Sequence, residues 1–457
     1  MRASLASTIA VTCAAVLALP VSLTAPAAAT APPAAAPALP PAPELPGSTQ
    51  SLPLEPLGAA TRALGDAAGS DGQGLTRRDV RPFSLVGVVW DDPAAPLHGT
   101  VQVRTRATGG GAWSPWQDVE THNEEHGADP DTAEGSARAL RGSTAPLWVG
   151  DSDGVEIRVR GEEPLPAGLR LELVDPGEGP AAPEETASRP RGVAAPAPVG
   201  TSAAEEAASA VNARLAPYGA TWIPALSKEE TEIEARNMPR ARAVPAGFAA
   251  AAAKPYIGPR PKIITRKGWG ADERIREKGF VYTKTIKAAF VHHSATGNNY
   301  TCKQAPSVLR SIYRYHVKSS GWRDFGYNFA VDKCGNIYEG RAGGVAKPVM
   351  GAHTLGFNTN SMGIAVLGTF SRSAPPAAAV TAIARLTAWK LGLHGVNPKG
   401  TSYLISGGGN LYKKGKKVRF NAIAGHRDGF ATDCPGGRLY NKLGTARTSS
   451  AKYQGRL

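Results

Sequence analysis

Long apolar runs and cysteine are both scarce in this chain of 457 residues. Beyond residue 29 no segment approaches about 18 uninterrupted, strongly apolar residues, so we expect no transmembrane helix in the mature protein. Only four cysteines occur, and Cys13 falls in an N-terminal leader. The three that remain are an odd number for an exported chain, which indicates that one thiol has a role other than disulfide formation.

The leader is recognised by its apolar and small residues. Arg2 is followed by an apolar stretch over residues 8–18 and then by the small-residue site Ala27-Ala-Ala29. This order is typical of a secretory signal peptide, which we predict over residues 1–29. The protein is therefore expected to be secreted.

Composition divides the rest of the chain into segments. Residues 30–75 begin with an Ala/Pro-rich stretch that has almost no aromatic side chains, and such a segment buries too little apolar surface to order itself. We predict a disordered tether there, and a second linker over residues 177–259 in which residues 225–236 could form a short helix. Residues 76–176 contain short alternating runs separated by Gly, Pro and Asp, which predict a small all-β, sandwich-like domain.

Two histidines and one cysteine in the C-terminal part have the chemistry of metal ligands. His292 follows the apolar run Ala288-Ala-Phe-Val, His426 lies in Gly-His-Arg-Asp, and Cys434 lies in Asp-Cys-Pro. Imidazole and thiolate ligands suit zinc, whereas calcium and magnesium prefer oxygen. His293 is adjacent to His292 on a predicted strand, so alternation lets only one of the two face a metal. Three protein ligands with an open fourth position would make such a site catalytic.

A series of motifs in the same region occurs in a consistent order. These are Arg266-Lys-Gly-Trp-Gly-Ala, Val291-His-His-Ser-Ala-Thr, Gly321-Trp-Arg-Asp-Phe-Gly-Tyr-Asn-Phe, Tyr338-Glu-Gly-Arg, Gly351-Ala-His, Asn360-Ser-Met-Gly-Ile, Gly425-His-Arg-Asp and Asp433-Cys-Pro. Together they resemble the peptidoglycan recognition protein and type 2 amidase family over about residues 260–445.

The resemblance implies a zinc-dependent N-acetylmuramoyl-L-alanine amidase, which cuts between the lactyl group of muramic acid and the first L-Ala of the peptidoglycan stem peptide. It implies His292, His426 and Cys434 as zinc ligands. It also implies Tyr327 as a catalytic phenol beside the metal and Thr432 as a donor to the oxyanion. From residue pattern alone, a packed strand residue is the favoured interpretation of Tyr327. His316 and His353 are expected to bind sugar or peptide in the groove, with packing as the alternative for both.

Two disulfide pairings are open. If Cys302 pairs with Cys334, Cys434 is left as the ligand, whereas a bond between Cys334 and Cys434 would abolish the metal site. The first pairing agrees with the implied ligand set, and we predict it.

Strands and helices alternate in the C-terminal part. Apolar runs predict strands near residues 286–292, 327–332, 336–339 and 363–367, and three- and four-residue spacing predicts helices from residue 306 and over 377–393. The predicted fold is α/β, with a mixed central sheet flanked by helices. Because this region holds every proposed ligand and the predicted disulfide, residues 260–457 are expected to fold and to hydrolyse muropeptide alone.

Positive charge is concentrated at the C-terminus. The formal net charge is +14, and residues 401–457 contain 11 Lys and Arg against two Asp, with a basic tail over residues 446–457. An exported protein meets little nucleic acid, so attraction to anionic cell-wall polymers is the preferred interpretation. We expect a monomer that is associated with the cell wall and binds peptidoglycan. A receptor that binds peptidoglycan without cutting it is the alternative function, and a third possibility makes the β-rich domain the functional module.

Overall fold

The computed structural model describes residues 47–57, 72–161, 163–179, 203–217, 220–238 and 256–457. The predicted signal peptide and most of the predicted tether lie outside these ranges. Within them, no helix combines the length and apolar character that crossing a membrane would require.

The N-terminal domain is built on one antiparallel sheet. Its strands are ordered β1-β8-β3-β7-β4-β5, and β2 and β6 pair with β3 outside this path. The bounds are β1 Ser48–Pro53, β2 Glu55–Pro56, β3 Gly72–Trp90, β4 Gly99–Ala107, β5 Gln117–Val119, β6 Gly142–Ser143, β7 Leu147–Gly161 and β8 Arg170–Asp175. Register shifts interrupt the pairing of the long strands β3 and β7. Alternating residues such as Val101, Val103, Ile157 and Val159 form its core, and the prediction of an all-β domain is confirmed.

The first strand falls inside the predicted tether. All six residues of β1 pair with β8. Backbone hydrogen bonds along a sheet edge hold this strand, and they require no aromatic side chains. Composition therefore did not reveal it.

The C-terminal domain has a seven-stranded mixed sheet in the order β17-β11-β14-β12-β13-β10-β9. Its strands are β9 Trp222–Ile223, β10 Ile263–Ile264, β11 Ala288–His293, β12 Phe329–Val331, β13 Ile337–Glu339, β14 Ser361–Val366 and β17 Ile423–Gly425, with a separate hairpin of β15 Thr401–Ile405 and β16 Lys417–Asn421. The helices are α1 Ala203–Val211, α2 Lys228–Asn237, α3 Arg266–Trp269, α4 Ala305–Arg314, α5 Ala377–Leu393, α6 Gly437–Tyr440 and α7 Leu443–Tyr453. The prediction of an α/β fold with a mixed sheet is confirmed.

Helices cover both faces of this sheet. On one face, Ile383, Leu386 and Trp389 of α5 pack with sheet residues such as Val291. On the other face, Val308, Leu309 and Ile312 of α4 form a cluster with Ala330 and Ala365. Strand β11 is fully buried and has parallel neighbours on both sides, so it offers a rigid base for a functional residue at its end.

The two domains share a hydrophobic core. Leu85, Val89 and Trp148 of the N-terminal sheet belong to the same buried cluster as α4. Immediately after α4, a five-residue π-helical turn begins at Tyr315. The Tyr315 hydroxyl donates to the carbonyl oxygens of Val88 at 3.2 Å and Thr144 at 3.0 Å. The β-rich domain is thus packed directly on the α/β domain.

The region expected to be a linker contains ordered elements. Helices α1 and α2 and strand β9 lie within residues 177–259, and β9 extends the sheet by pairing with β10. Asn212 donates to the Glu339 carboxylate at 2.9 Å and accepts from the Val345 amide at 3.0 Å. Since β9 has only two residues, its sequence carries no periodicity that would predict a strand.

A disulfide joins Cys302, before α4, to Cys334, in the turn between β12 and β13. Cys434 is a free, buried thiol. This is the pairing that leaves Cys434 available as a ligand.

Candidate metal centre

The central sheet positions His292 at the end of β11. Its Nδ1 lies 3.7 Å from the Cys434 Sγ, and its Nε2 lies 3.4 Å from the Thr354 hydroxyl oxygen. His293 instead uses its Nδ1 to accept a hydrogen bond from the Phe370 amide at 3.3 Å. Only His292 of this pair joins the cluster described below, in keeping with alternation along a strand.

Short loops after β17 hold the other two predicted ligands. His426 opens a 3-10 turn, in which the Asp428 carboxylate accepts a hydrogen bond from the Gly425 amide at 2.9 Å. The Arg427 amide donates to the Cys434 carbonyl at 3.0 Å, which ties this turn to the loop that carries the cysteine. The structure therefore brings together three residues that were predicted from separate motifs.

A fourth residue, which the sequence analysis did not identify, lies in the same cluster. His126 comes from the segment between β5 and β6 of the N-terminal domain, and its Nε2 lies 3.9 Å from the Cys434 Sγ. The His126 ring centroid is 4.6 Å from that of His426 and 5.4 Å from that of His292. No motif surrounds His126, and the only local signal is a second histidine, His122, four positions earlier.

These four side chains form a compact donor set. One potential ligand atom from each of His126, His292, His426 and Cys434 lies within 4.8 Å of the others. All four are buried, with His126 the most exposed at 9%. Both ring nitrogens of His426 are buried without a hydrogen-bond partner among the described groups, and a cation could satisfy one of them. Buried polar atoms normally have partners, so a bound cation would explain this arrangement.

The protonation of the cluster also fits a soft or borderline metal. Burial lowers the pKa of His292 and His426 well below the usual value and that of His126 to about 3. The rings are therefore neutral near neutral pH and have a free electron pair for a metal. Burial raises the pKa of the Cys434 thiol well above its ordinary range. A bound cation would reverse that effect by stabilising the thiolate. Three imidazoles and one thiolate are ligand types that zinc accepts.

Tyr327 stands beside the cluster, just before β12. Its ring centroid lies 5.2 Å from that of His292 and 5.9 Å from that of His126. Burial raises the pKa of the Tyr327 phenol well above its usual value. The phenol is thus protonated near neutral pH and can act as a hydrogen-bond donor.

Thr432 contacts the N-terminal domain and also lines the cavity described below. Its hydroxyl donates to the Glu125 carboxylate at 2.7 Å and accepts from the Cys434 amide at 3.1 Å. Burial raises the pKa of Glu125 to about 7, while the bond from Thr432 opposes this change. Glu125 and His126 are adjacent, so one short segment reaches both Thr432 and the cluster.

The two predicted groove histidines differ in position. His316 stacks on Trp322 with ring centroids 4.3 Å apart, and its Nδ1 accepts from the Gly326 amide at 3.3 Å. It lines the cavity described next. His353 is fully buried, and its Nδ1 lies 3.0 Å from the hydroxyl of Thr354, the residue that contacts His292. His353 therefore packs behind His292 instead of facing a groove.

A cavity of about 420 Å³ lies next to the cluster. Residues of the C-terminal domain, including His316, Tyr327 and Cys434, form one part of its wall. Residues 120 and 122–126 of the N-terminal domain form another part. Both domains therefore shape the space from which a substrate would approach the donor set.

Two family models match this chain. Residues 282–437 match a family described as N-acetylmuramoyl-L-alanine amidase, and this range includes His292, His426 and Cys434. Residues 32–207 match a family described as Rv3811 N-terminal galactose-binding domain-like. The second range contains His126.

Similar proteins are found among curated sequences and solved structures. Peptidoglycan-recognition protein SC2 of Drosophila melanogaster is 31% identical over 185 residues, which are 40% of this chain and 85% of that relative. A human N-acetylmuramoyl-L-alanine amidase is 31% identical over 189 residues, which are 40% of this chain and 28% of that relative. Among structures, Drosophila PGRP-LB is 26% identical and covers 40% of this chain and 92% of that chain, with a TM-score of 0.32.

Proposed function

Because the chain belongs, through its C-terminal domain, to the family of peptidoglycan-recognition proteins and N-acetylmuramoyl-L-alanine amidases, we propose that it is a zinc-dependent N-acetylmuramoyl-L-alanine amidase. The bond that is cut joins the lactyl group of muramic acid to L-Ala of the stem peptide. The observation that carries this proposal is the convergence of His292, His426 and Cys434, with buried donor atoms, beside a cavity.

In this proposal, His292, His426 and Cys434 hold zinc. The metal, when bound, supplies Lewis acidity and lowers the pKa of water to about 7, which amide hydrolysis requires at neutral pH. Thr354 and His353 orient His292 from behind, since a hydrogen bond to the second ring nitrogen fixes the direction of a ligating imidazole. The protein residues around the cluster then bind the substrate and stabilise the charge that develops on it.

Tyr327 is the proposed donor to the developing oxyanion. Its phenol stays protonated because it is buried, and a preorganised donor in a site with little water stabilises a developing negative charge strongly. Thr432 is a second hydroxyl next to Cys434 and is proposed to donate to the same oxygen. In the structure its proton is directed to Glu125, so Thr432 must first exchange this partner.

We also propose that the protein is secreted, binds peptidoglycan as a monomer and associates with the cell wall. One solved relative, PGRP-LE, was crystallised with tracheal cytotoxin, which is described as monomeric diaminopimelic acid-type peptidoglycan. The Lys- and Arg-rich C-terminal residues would attract anionic wall polymers at low ionic strength. No role in nucleic-acid binding is proposed.

The test measures release of stem peptides with a free L-Ala amino group from purified muropeptide by mass spectrometry. Hydrolysis should disappear after chelation and return with zinc, and Cys434→Ser should remain inactive after zinc is added. Because His126 lies against the donor set, the same assay is run on His126→Ala. If the zinc-loaded wild type and the zinc-loaded His126→Ala variant both bind muropeptide but release no peptide, the protein is a recognition protein without amidase activity.

A further inference from the structure

A segment of the N-terminal domain covers the donor set. This segment, residues 120–146, lies between β5 and β7 and includes the two-residue strand β6; we call it the covering loop. It carries Glu125 and His126, and it contacts the C-terminal domain along much of its length. If specific contacts hold the loop against the C-terminal domain, its position is a property of the fold.

Buried polar contacts fix the covering loop to the C-terminal domain. The Asp129 carboxylate accepts from the Asn358 side chain and from the Gly356 amide, each at 2.8 Å. The Glu125 carbonyl accepts from the Leu355 amide at 3.0 Å. Further along, Glu134 forms a buried ion pair with Arg341. Two carboxylates of the loop are buried and each has a hydrogen-bonding or ionic partner. A loop without a fixed position would not form such contacts, so the docked position is specific.

The docked position brings His126 within reach of the metal that the three predicted ligands would hold. Tetrahedral zinc, with bonds of about 2.0 to 2.3 Å, separates its ligand atoms by roughly 3.3 to 3.8 Å. The His126 Nε2 is 3.9 Å from the Cys434 Sγ, and the four donor atoms lie within 4.8 Å of one another. Four protein ligands close a zinc site, whereas three leave a position for water or substrate.

In the same conformation, Glu125 binds Thr432, the second proposed oxyanion donor. Its carboxylate accepts a hydrogen bond from the Thr432 hydroxyl at 2.7 Å, so this hydroxyl already has a partner. Tyr327 is only 5% exposed and His316 only 4% exposed while the loop is docked. The covering loop forms part of the wall of the cavity beside the donor set, so moving the loop away would widen the path of a bulky glycopeptide to these groups.

From these contacts we infer that His126 is a fourth, displaceable zinc ligand and that the covering loop holds the enzyme in a closed, latent state. The inference rests on the proposed amidase function. Activation requires the loop to leave, which frees the fourth ligand position, Thr432 and the cavity in a single movement. The covering loop is thus an intramolecular inhibitor, and the N-terminal domain that supplies it controls access to the amidase site.

The first test uses the full chain with Co²⁺ in place of zinc, because the visible spectrum of Co²⁺ reports its ligands. In the wild type, azide should leave the spectrum unchanged, since protein atoms fill all four positions. In His126→Ala the spectrum should differ from that of the wild type and should change again when azide is added. The matched control is His98→Ala, which removes an exposed histidine of the same domain outside the covering loop and should behave as the wild type.

The second test measures hydrolysis of a soluble muropeptide by the zinc-loaded proteins. His126→Ala should exceed the wild type by about tenfold or more in kcat/KM, because activity scales with the fraction of open molecules. Glu134→Gln weakens the docking without touching the cluster, and it should also raise both the rate and the azide response. This variant keeps the inference testable if His126→Ala fails to fold.

The results separate the inference from the proposed function. An azide response in the wild type equal to that of His126→Ala would overturn the inference, as would a lower rate in His126→Ala, which would make His126 part of the catalytic machinery. An azide-responsive His126→Ala that cuts no muropeptide would support the fourth ligand and refute the amidase. A folded wild-type chain that binds no Co²⁺ would overturn both.

Discussion

Arg341 of the C-terminal domain and Glu134 of the covering loop form a bidentate ion pair across the domain interface. Their two nitrogen to oxygen distances are 2.7 and 2.8 Å, and each side chain is only 4% exposed. The Arg341 Nε also donates to the Phe325 carbonyl at 2.7 Å. The guanidinium therefore links the covering loop to the segment that leads to Tyr327.

The first prediction concerns this ion pair. Glu134→Ala leaves a buried guanidinium without its partner, which should lower the free energy of unfolding by about 3 to 5 kcal/mol. Denaturant unfolding of the full chain measures the effect. The control is Lys414→Ala, which breaks the exposed pair of Lys414 with Asp131 of the same loop and should cost no more than about 1 kcal/mol. Equal effects of the two variants would mean that the buried pair adds nothing to docking.

Zinc content is the subject of the second prediction. The purified full chain should hold about one zinc per molecule by elemental analysis, and Cys434→Ser should lose most of it because a hydroxyl replaces the thiolate. The control is Cys302→Ser, which removes a sulfur of the disulfide that lies outside the cluster. A zinc affinity of Cys434→Ser equal to that of the wild type would exclude Cys434 as a ligand.

Tyr327 provides the third prediction. Tyr327→Phe keeps the ring beside His292 but removes the proposed oxyanion donor, so zinc content should stay constant while kcat falls by about 100- to 1000-fold. The change is assayed alone and together with His126→Ala, so that loop closure does not mask it. An unchanged kcat in the double variant would make Tyr327 a packing residue.

The fourth prediction addresses the contact between the two domains. A Cβ atom at Gly87 would collide with the ring and hydroxyl of Tyr315, so Gly87→Ala should destabilise the full chain by about 1 to 3 kcal/mol. Gly444 in α7 has nothing within 4 Å of its Cβ position. Gly444→Ala should therefore be neutral or slightly stabilising. A melting temperature of Gly87→Ala equal to that of the wild type would contradict the close contact between Gly87 and Tyr315.

The fifth prediction concerns the boundary of the C-terminal domain. A fragment that begins at residue 260 lacks β9, whose Ile223 is fully buried, and it lacks Asn212, which bonds to the buried Glu339. A fragment over residues 203–457 keeps both. The longer fragment should melt at least about 5 °C higher, because burying one isoleucine contributes about 2 kcal/mol and an unpaired polar group costs a similar amount. Equal melting temperatures of the two fragments would mean that residues 203–259 add no stability and that the domain begins near residue 260.

The C-terminal elements were the easiest part of the fold to predict. The helix predicted over residues 377–393 has these bounds in the structure, and the predicted strands near 286–292 and 363–367 overlap β11 and β14. Each is long enough for its apolar spacing to indicate both its type and its buried face. Strand β9 has two residues and β1 lacks aromatic side chains, so only pairing with a neighbouring strand reveals them.

The sequence by itself determined that His292, His426 and Cys434 have zinc-binding chemistry, because each lies in a local motif. It also determined that the C-terminal half forms an α/β domain. Only the tertiary structure decided that His353 packs behind His292 and that His126 completes the donor set. His126 has no motif around it, and its position depends on the docking of one domain on another. Such a contact joins residues far apart in the chain, so it follows from the packing of the whole molecule and from no local pattern.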